Sequence, residues 1–270
     1  MTERPALSDR QRREIEYHQQ FSRKIDLERQ KISYEIAESR RRRWWNAYWA
    51  SYTILLKEVV MSRRILVMGC GFGKDALVLS KLGADVYAFD LSEDMLALAK
   101  QIALREGLKV DFRQMPAEQM DYKDDFFDGI LAVNILHHVD IPKTLSEIQR
   151  VSKKGAFFIA NEVYSHSLMH PIRHYTFVKK FLYPRLVRFV YGSKDPYITE
   201  DERKLTECDV RLVKGLISNV RCEYFNFIVT RLLPRRWQML NILDRLALIA
   251  FGPLAYLFGG RILIAGKISK

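Results

Sequence analysis

Apolar positions change their period along this chain, and the changes mark its elements. Between Arg64 and Glu162, short unbroken apolar runs alternate with stretches in which apolar residues recur every third or fourth position. Unbroken runs bounded by turn residues read as buried strands, and the helical period reads as their connections. This predicts strands at 64–69, 85–90, 109–113, 128–134 and 156–162, with helices at 73–82, 93–105 and 141–151. Ser92 is the expected N-cap of the middle helix, since its hydroxyl stands just before a helical pattern. Strands separated by helices form a parallel sheet, so the fold class is α/β. Residues 8–60 hold no Gly or Pro and read as helices, capped by Ser8 or Asp9. Beyond 162, a helix is expected at 205–218, a strand at Cys222–Leu232 and a last strand at Arg261–Ile268.

The first strand runs into Gly69-Cys70-Gly71-Phe72-Gly73, and a helical pattern starts at once. Glycines at a strand-to-helix turn let the backbone bend sharply and let a ligand approach main-chain N–H groups. A G-x-G-x-G turn alone is a weak signal. It is strengthened by Val86-Tyr87-Ala88-Phe89-Asp90-Leu91-Ser92, a second buried strand ending in a carboxylate. Asp90 is placed there to accept hydrogen bonds from both ribose hydroxyls of a nucleoside lying over the turn. Met115-Pro116-Ala117-Glu118 follows the third strand, and the fourth continues into Asn134-Ile135-Leu136-His137-His138-Val139. Gly69, Asp90, Ala117 and Asn134 all fall at carboxyl ends of strands, where ligands of open α/β sheets bind.

This order of motifs resembles the class I S-adenosylmethionine-dependent methyltransferases, and among them the ubiquinone/menaquinone-biosynthesis-type family and its bacterial small-molecule relatives. The resemblance covers Arg64 to about Glu162. It implies a Rossmann-like, doubly wound sheet of seven strands, mostly parallel with the last antiparallel. N-terminal helices and two helical cap insertions would surround it. It implies S-adenosyl-L-methionine as cofactor, bordered by Gly69, Cys70, Gly71, Gly73, Asp90, Leu91, Met115, Ala117, Glu118 and Asn134. Two positions depart from the family pattern. Val67 stands where an acidic residue usually precedes the first glycine, and Pro116 replaces an acidic adenine contact.

Against this frame the chain divides into a helical segment at 1–63 lying over the cofactor site, a cofactor-binding core at 64–162, a substrate-cap insertion at 163–205, and a C-terminal part of the sheet at 206–270. The cap reading rests on length, since the stretch between the fifth and sixth strands is too long for the usual loop plus helix. A second insertion occupies 233–260, between two strands that need only a short connection. Its Leu246–Phe258 run is apolar but broken by Gly252-Pro253. A spanning helix needs about 20 apolar residues, so this run does not span. It suits either a membrane interface, flanked by Arg235, Arg236, Arg245 and Arg261, or a buried hairpin closing an apolar pocket.

Charge sharpens the picture. Residues 1–64 carry 15 Lys/Arg against 9 Asp/Glu, residues 65–162 carry 11 against 15, and residues 163–270 carry 18 against 8. A mildly acidic core with strongly basic flanks points to an anionic partner. A membrane surface ranks above nucleic acid, because the positive charge accompanies the apolar run and no RNA-binding motif. Trp44, Trp45, Tyr48, Trp49 and Tyr52 fall on one helical face after Arg40–Arg43. That face either meets a membrane or stacked bases, or packs over the active site, where Tyr17 and His18 would also reach. The N-terminus is charged from Met1 to Asp26 without a leader pattern, and Cys70, Cys208 and Cys222 form no disulfide or zinc spacing. A cytoplasmic, membrane-peripheral location is expected.

Methyl transfer from a sulfonium needs positioning and, for a hydroxyl acceptor, removal of a proton. His137 and His138 follow the fourth strand directly, and Glu162 ends the fifth. These three are the candidate catalytic groups, each against the alternative that it caps or packs the chain. His166, His170 and His174 are spaced for one helical face, but Pro171 interrupts it and no metal site is expected. The fourth strand is followed by neither Asn/Asp-Pro-Pro-Tyr/Phe nor Pro-Cys. These absences leave O-methylation, or C-methylation of an activated ring, and O-methylation of a small hydrophobic or lipid-linked acceptor is the favoured reading. An RNA methyltransferase and a non-catalytic accessory protein are the alternatives.

Overall fold

A computed structural model describes residues 9–23, 25, 27, 30–58, 63–169, 185, 188–189, 203–228 and 237–270. Three helices come first: α1 (Asp9–Ser22), α2 (Glu35–Glu38) and α3 (Ala47–Glu58). The alternating part follows as β1 (Arg64–Met68), α4 (Lys74–Lys81), β2 (Asp85–Asp90), α5 (Glu93–Arg105), β3 (Asp111–Gln114), β4 (Phe127–Val133), α6 (Ile141–Val151) and β5 (Ser152–Val163). After it come α7 (Glu207–Leu216), β6 (Ile217–Phe225), α8 (Gln238–Ala250), α9 (Ala255–Phe258) and β7 (Arg261–Ile268). The sheet has seven strands in the order β3-β2-β1-β4-β5-β7-β6. β1 to β5 pair in parallel, and β7 runs antiparallel to both β5 and β6. This is the Rossmann-like, doubly wound sheet that the motif order implies.

The period of two along each strand builds two cores. On β1, Leu66 and Met68 enter one layer with Leu145 and Ile148 of α6 and Val210 and Val213 of α7. Ile65 and Val67 enter the other, with Tyr52 and Leu55 of α3, Leu77 of α4 and Ala99 of α5. A strand buried on both faces reads as an unbroken apolar run, which is why these strands were visible in the pattern. Helix starts follow their caps. The Ser92 hydroxyl accepts from the Met95 amide, and the Asp140 carboxylate accepts from the Lys143 amide.

Most strand starts lie within two residues of the sequence-based expectation, two strands start four or five residues early, and the 8–60 stretch is helical only over α1, α2 and α3. β5 begins at Ser152 rather than 156, because Ser152 pairs with Phe127 ahead of an irregularity in the β4 register. β6 spans Ile217–Phe225 rather than starting at Cys222. It starts where α7 stops, and Asn226, at φ 61, turns the chain after Phe225. β6 is the sheet edge, so Ser218, Asn219 and Arg221 are polar and exposed and give no apolar run. The rest of that expected strand, to Leu232, lies partly outside the described residues, as do Arg235, Arg236, His170, His174 and most of the 163–205 insertion.

The aromatic face after Arg43 packs inward. Tyr52 and Trp49 are buried, Tyr48 is half-buried, and only Trp44 of the group is largely exposed. The Arg42 and Arg43 guanidiniums sit 4.8 and 4.7 Å from the Trp49 ring centroid. Trp45, Tyr48 and Trp49 of this face line the cavity described below.

Candidate active site

A cavity of about 710 Å³ opens at the carboxyl ends of β1, β2 and β4, and α1 and α3 cover it. Its floor is the glycine turn. Gly69 has φ 58 and Gly71 φ 52, in the left-handed region that glycine enters without steric cost. A Cβ on Gly69 would stand 2.6 Å from Ile135 Cδ1, so the β4 loop packs directly on this backbone. Gly71 is open, with only the Met95 methyl at 3.6 Å from such a Cβ.

Asp90 closes one side. Its Oδ2 accepts from the Gly71 amide at 2.8 Å and its Oδ1 from the Ser92 amide at 2.9 Å. A carboxylate has about four acceptor positions, so each oxygen keeps capacity for a further donor on the cavity side. Leu91, Met95 and Ala117 line the same end. A carboxylate, an exposed glycine backbone and apolar walls together fit the ribose, methionyl and adenine parts of S-adenosylmethionine. Burial pushes the Cys70 thiol well above its ordinary pKa, with the Asp90 charge adding to it. Cys70 thus favours the thiol over the thiolate and lines the cavity as a small side chain.

The rest of the lining is built by elements far apart in the chain. Asp75, in the first turn of α4, accepts hydrogen bonds from the phenols of Tyr48 and Tyr52. Burial first, and the Asp75 charge second, raise both phenols well above their usual range. Asn134, at φ 55, presents its Oδ1 to the guanidinium of Arg261, which also donates to Asn161. Asn161 donates in turn to Ser51 of α3 at 2.6 Å. Arg261 and Asn134 line the cavity, as do Asn226, Asn241, Trp45 and Trp49.

Of the three catalytic candidates, His138 lines the cavity and His137 and Glu162 do not. Glu162 is fully buried, and its Oε1 accepts from the Ile135 and Leu136 amides, both at 2.8 Å. Its Oε2 meets His137 Nδ1 at 2.6 Å. The pair holds the turn that follows β4, and a carboxylate so engaged has no line to an acceptor in the cavity. His138 Nδ1 lies 3.1 Å from Glu14 Oε2, and Glu14 Oε1 lies 3.2 Å from His18 Nε2. Glu14 and His18 line the cavity as well, whereas Tyr17 does not.

Among the cofactor candidates, Gly69, Cys70, Gly71, Asp90, Leu91, Ala117 and Asn134 line the cavity, while Gly73, Met115 and Glu118 stand outside its wall. The Glu118 carboxylate accepts from the Asp140 amide at 3.0 Å and from Gln11 at 3.3 Å, which ties α1 to the β4 loop. Glu14, Asp75 and Arg261 were missed. The Glu14/His18 pair at helical spacing was the one available signal, and for Arg261 only its place at the head of the last strand.

A seven-stranded sheet with a glycine turn after β1 and a carboxylate at the tip of β2 is the arrangement of the class I, S-adenosylmethionine-dependent methyltransferase fold. Residues 66–160, about a third of the chain, match the family described as a methyltransferase domain. The ubiquinone biosynthesis O-methyltransferase of Ruegeria sp. (strain TM1040) is 34% identical over 101 residues, covering 37% of this chain and 41% of that protein. That of Nitrosococcus oceani is 38% identical over 84 residues, covering 31% and 36%. The chain thus spans well under half the length of these curated relatives. Among solved structures, geranyl diphosphate C-methyltransferase from Streptomyces coelicolor A3(2), in complex with geranyl diphosphate and S-adenosyl-L-homocysteine, superposes with a TM-score of 0.60 at 13% identity, covering 98% of this chain and 100% of that one. A SAM-dependent methyltransferase from Methanosarcina mazei gives 0.53 at 22%, covering 81% and 99%. Both show likeness of fold.

Proposed function

We propose that the chain methylates a hydroxyl of a small hydrophobic or lipid-linked acceptor, with S-adenosylmethionine as donor and with its substrate met at a membrane surface. When bound, the donor supplies a methyl group made electrophilic by its sulfonium. The protein's own part is placement and proton handling. The glycine turn and Asp90 hold the nucleoside end, and the wall of Trp45, Trp49, Asn134 and Arg261 holds the acceptor. His138 takes the acceptor's hydroxyl proton. Glu14, beside Nδ1, holds the ring and stabilises the imidazolium once it forms. His137 and Glu162 keep the His138 backbone in place.

The observation that carries this reading is that the imidazole of His138, paired with the Glu14 carboxylate, lines the same cavity as the glycine turn and Asp90. O-methylation also accords with the activity named for the curated relatives. The test is incubation with methyl-labelled S-adenosylmethionine and a bacterial lipid extract. Label in the organic phase, lost in His138→Ala, supports the proposal. Label in RNA, or none in any fraction, overturns it.

A further inference from the structure

Helix α8 is built inside out. Its buried residues are Asp244, Arg245 and Leu248, so two of the three are charged. Its exposed residues include Met239, Leu243, Leu246 and Ile249, and Met239 and Leu243 are 70% and 56% exposed. The inward charges are satisfied by β6 and the turn after it. The Asp244 carboxylate accepts from the Phe227 and Ile228 amides. The Arg245 guanidinium donates to the Tyr224 carbonyl and Glu223, and stacks 4.0 Å from the Phe225 ring centroid. The helix is thus docked by its polar side, and its apolar side faces outward.

The next segment continues the pattern. Phe251 and Leu254 are exposed, and the 252–258 helical stretch bends away from α8 by 110°. No single helix among the described residues is long and apolar enough to cross a membrane, but this bent pair has the apolar length of a broken span. In water an outward apolar face of this extent is unfavourable unless something covers it. Its border is basic and aromatic. Phe189 lies 6.5 Å, ring to ring, from Trp237 at the head of α8; Arg188, its neighbour in the chain, and Arg185, four positions before it, are exposed. Residues 163–270 carry 18 Lys/Arg against 8 Asp/Glu. Apolar side chains rimmed by arginine and aromatic rings match the acyl boundary and headgroups of an anionic bilayer.

We propose that the outer face of α8 and the 252–258 stretch lies in the surface of an anionic membrane, and that the acceptor enters the cavity beside α8. The second half follows from one residue: Asn241 of α8 lines the active cavity, while Leu243 and Leu246 of the same helix point outward. One helix therefore separates the bilayer from the acceptor end of the site. Only this entry route rests on the proposed function; membrane binding stands without it.

The test is flotation of the full chain with phosphatidylcholine vesicles, with and without phosphatidylglycerol, beside the Leu243→Asp/Leu246→Asp double variant. Both leucines are exposed, so the fold is kept, and unchanged S-adenosylhomocysteine affinity by calorimetry confirms that. Wild type is expected to float with the anionic vesicles, and the double variant to lose at least about tenfold of the bound fraction. Arg185→Glu/Arg188→Glu should weaken flotation on anionic vesicles only. Wild type that stays down on both vesicle types, or floats equally on both, overturns the proposal. So does a dimer that the leucine variant dissolves, since a second copy would then cover the face. Normal flotation without S-adenosylhomocysteine binding leaves this inference standing and defeats the methyltransferase reading instead.

Discussion

Glu14 of α1 and His138 of the β4 loop, 124 positions apart in the chain, meet at 3.1 Å inside the cavity, and both are about 13% exposed. The N-terminal helix is therefore part of the site and not merely its cover. Removing either partner leaves the glycine turn and Asp90 untouched.

His138→Ala is expected to lower kcat by roughly 10²–10⁴-fold, the usual contribution of a positioned base. Glu14→Gln should lower it by about tenfold, since the imidazolium loses its counter-charge but keeps a hydrogen-bond partner. S-adenosylhomocysteine affinity should stay within a few-fold in both. Calorimetry beside a turnover assay separates the two effects, and a large loss of affinity in either variant would make the pair a cofactor clamp.

Asp90 answers to two observables. Asp90→Asn should weaken S-adenosylhomocysteine by about 1.5–3 kcal/mol, from tenfold to a hundredfold, through loss of charge-assisted hydrogen bonds. Asp90→Ala should also lower the melting temperature, because the Gly71 and Ser92 amides then lose their acceptor. Equal affinity in wild type and Asp90→Asn would remove Asp90 from the site.

The two glycines of the turn separate structure from binding. Gly69→Ala combines left-handed strain with a collision against Ile135, and should cost about 2–4 kcal/mol of stability in denaturant unfolding. Gly71→Ala meets only a mobile Met95 methyl and should cost about 1–2 kcal/mol, while its new methyl crowds the cavity lining and weakens cofactor binding.

Tyr48 and Tyr52 predict an alkaline weakness. Burial and then Asp75 raise both phenols above the ordinary 10.0 in the folded state. Below pH 10 the folded and unfolded chains both hold these protons, and stability is complete. Above it the unfolded chain releases them first, so the free energy of unfolding falls with pH, by about 1.4 kcal/mol per unit for each phenol. Tyr48→Phe/Tyr52→Phe should flatten that slope. Unfolding curves from pH 9 to 11 measure it.

The legible parts of this chain were those where one physical constraint acts alone. β1, β2 and β4 are buried on both faces, so their runs are unbroken. α6 places Ile141, Leu145, Ile148 and Val151 on one face, and Asp140 caps it. β6 was misplaced because an edge strand has one poor face. α8 was left between membrane and core because its sequence shows how apolar it is but not which side turns inward; Asp244 and Arg245 decide that only through β6. The catalytic side was the least legible. His137 and Glu162 have the residue types of a base, and only their mutual contact shows that each is used up by the other.

The position of β7 sets an order of assembly. It lies between β5 and β6 although it follows both in sequence, and its first residue, Arg261, holds Asn134 and Asn161. β6 has no strand to pair with until β7 has been synthesised. During translation the nascent chain can therefore form β1 to β5 early, while the acceptor wall waits for the last strand. Until then the edge of β5 stays bare, exposed to whatever strand or chaperone reaches it first.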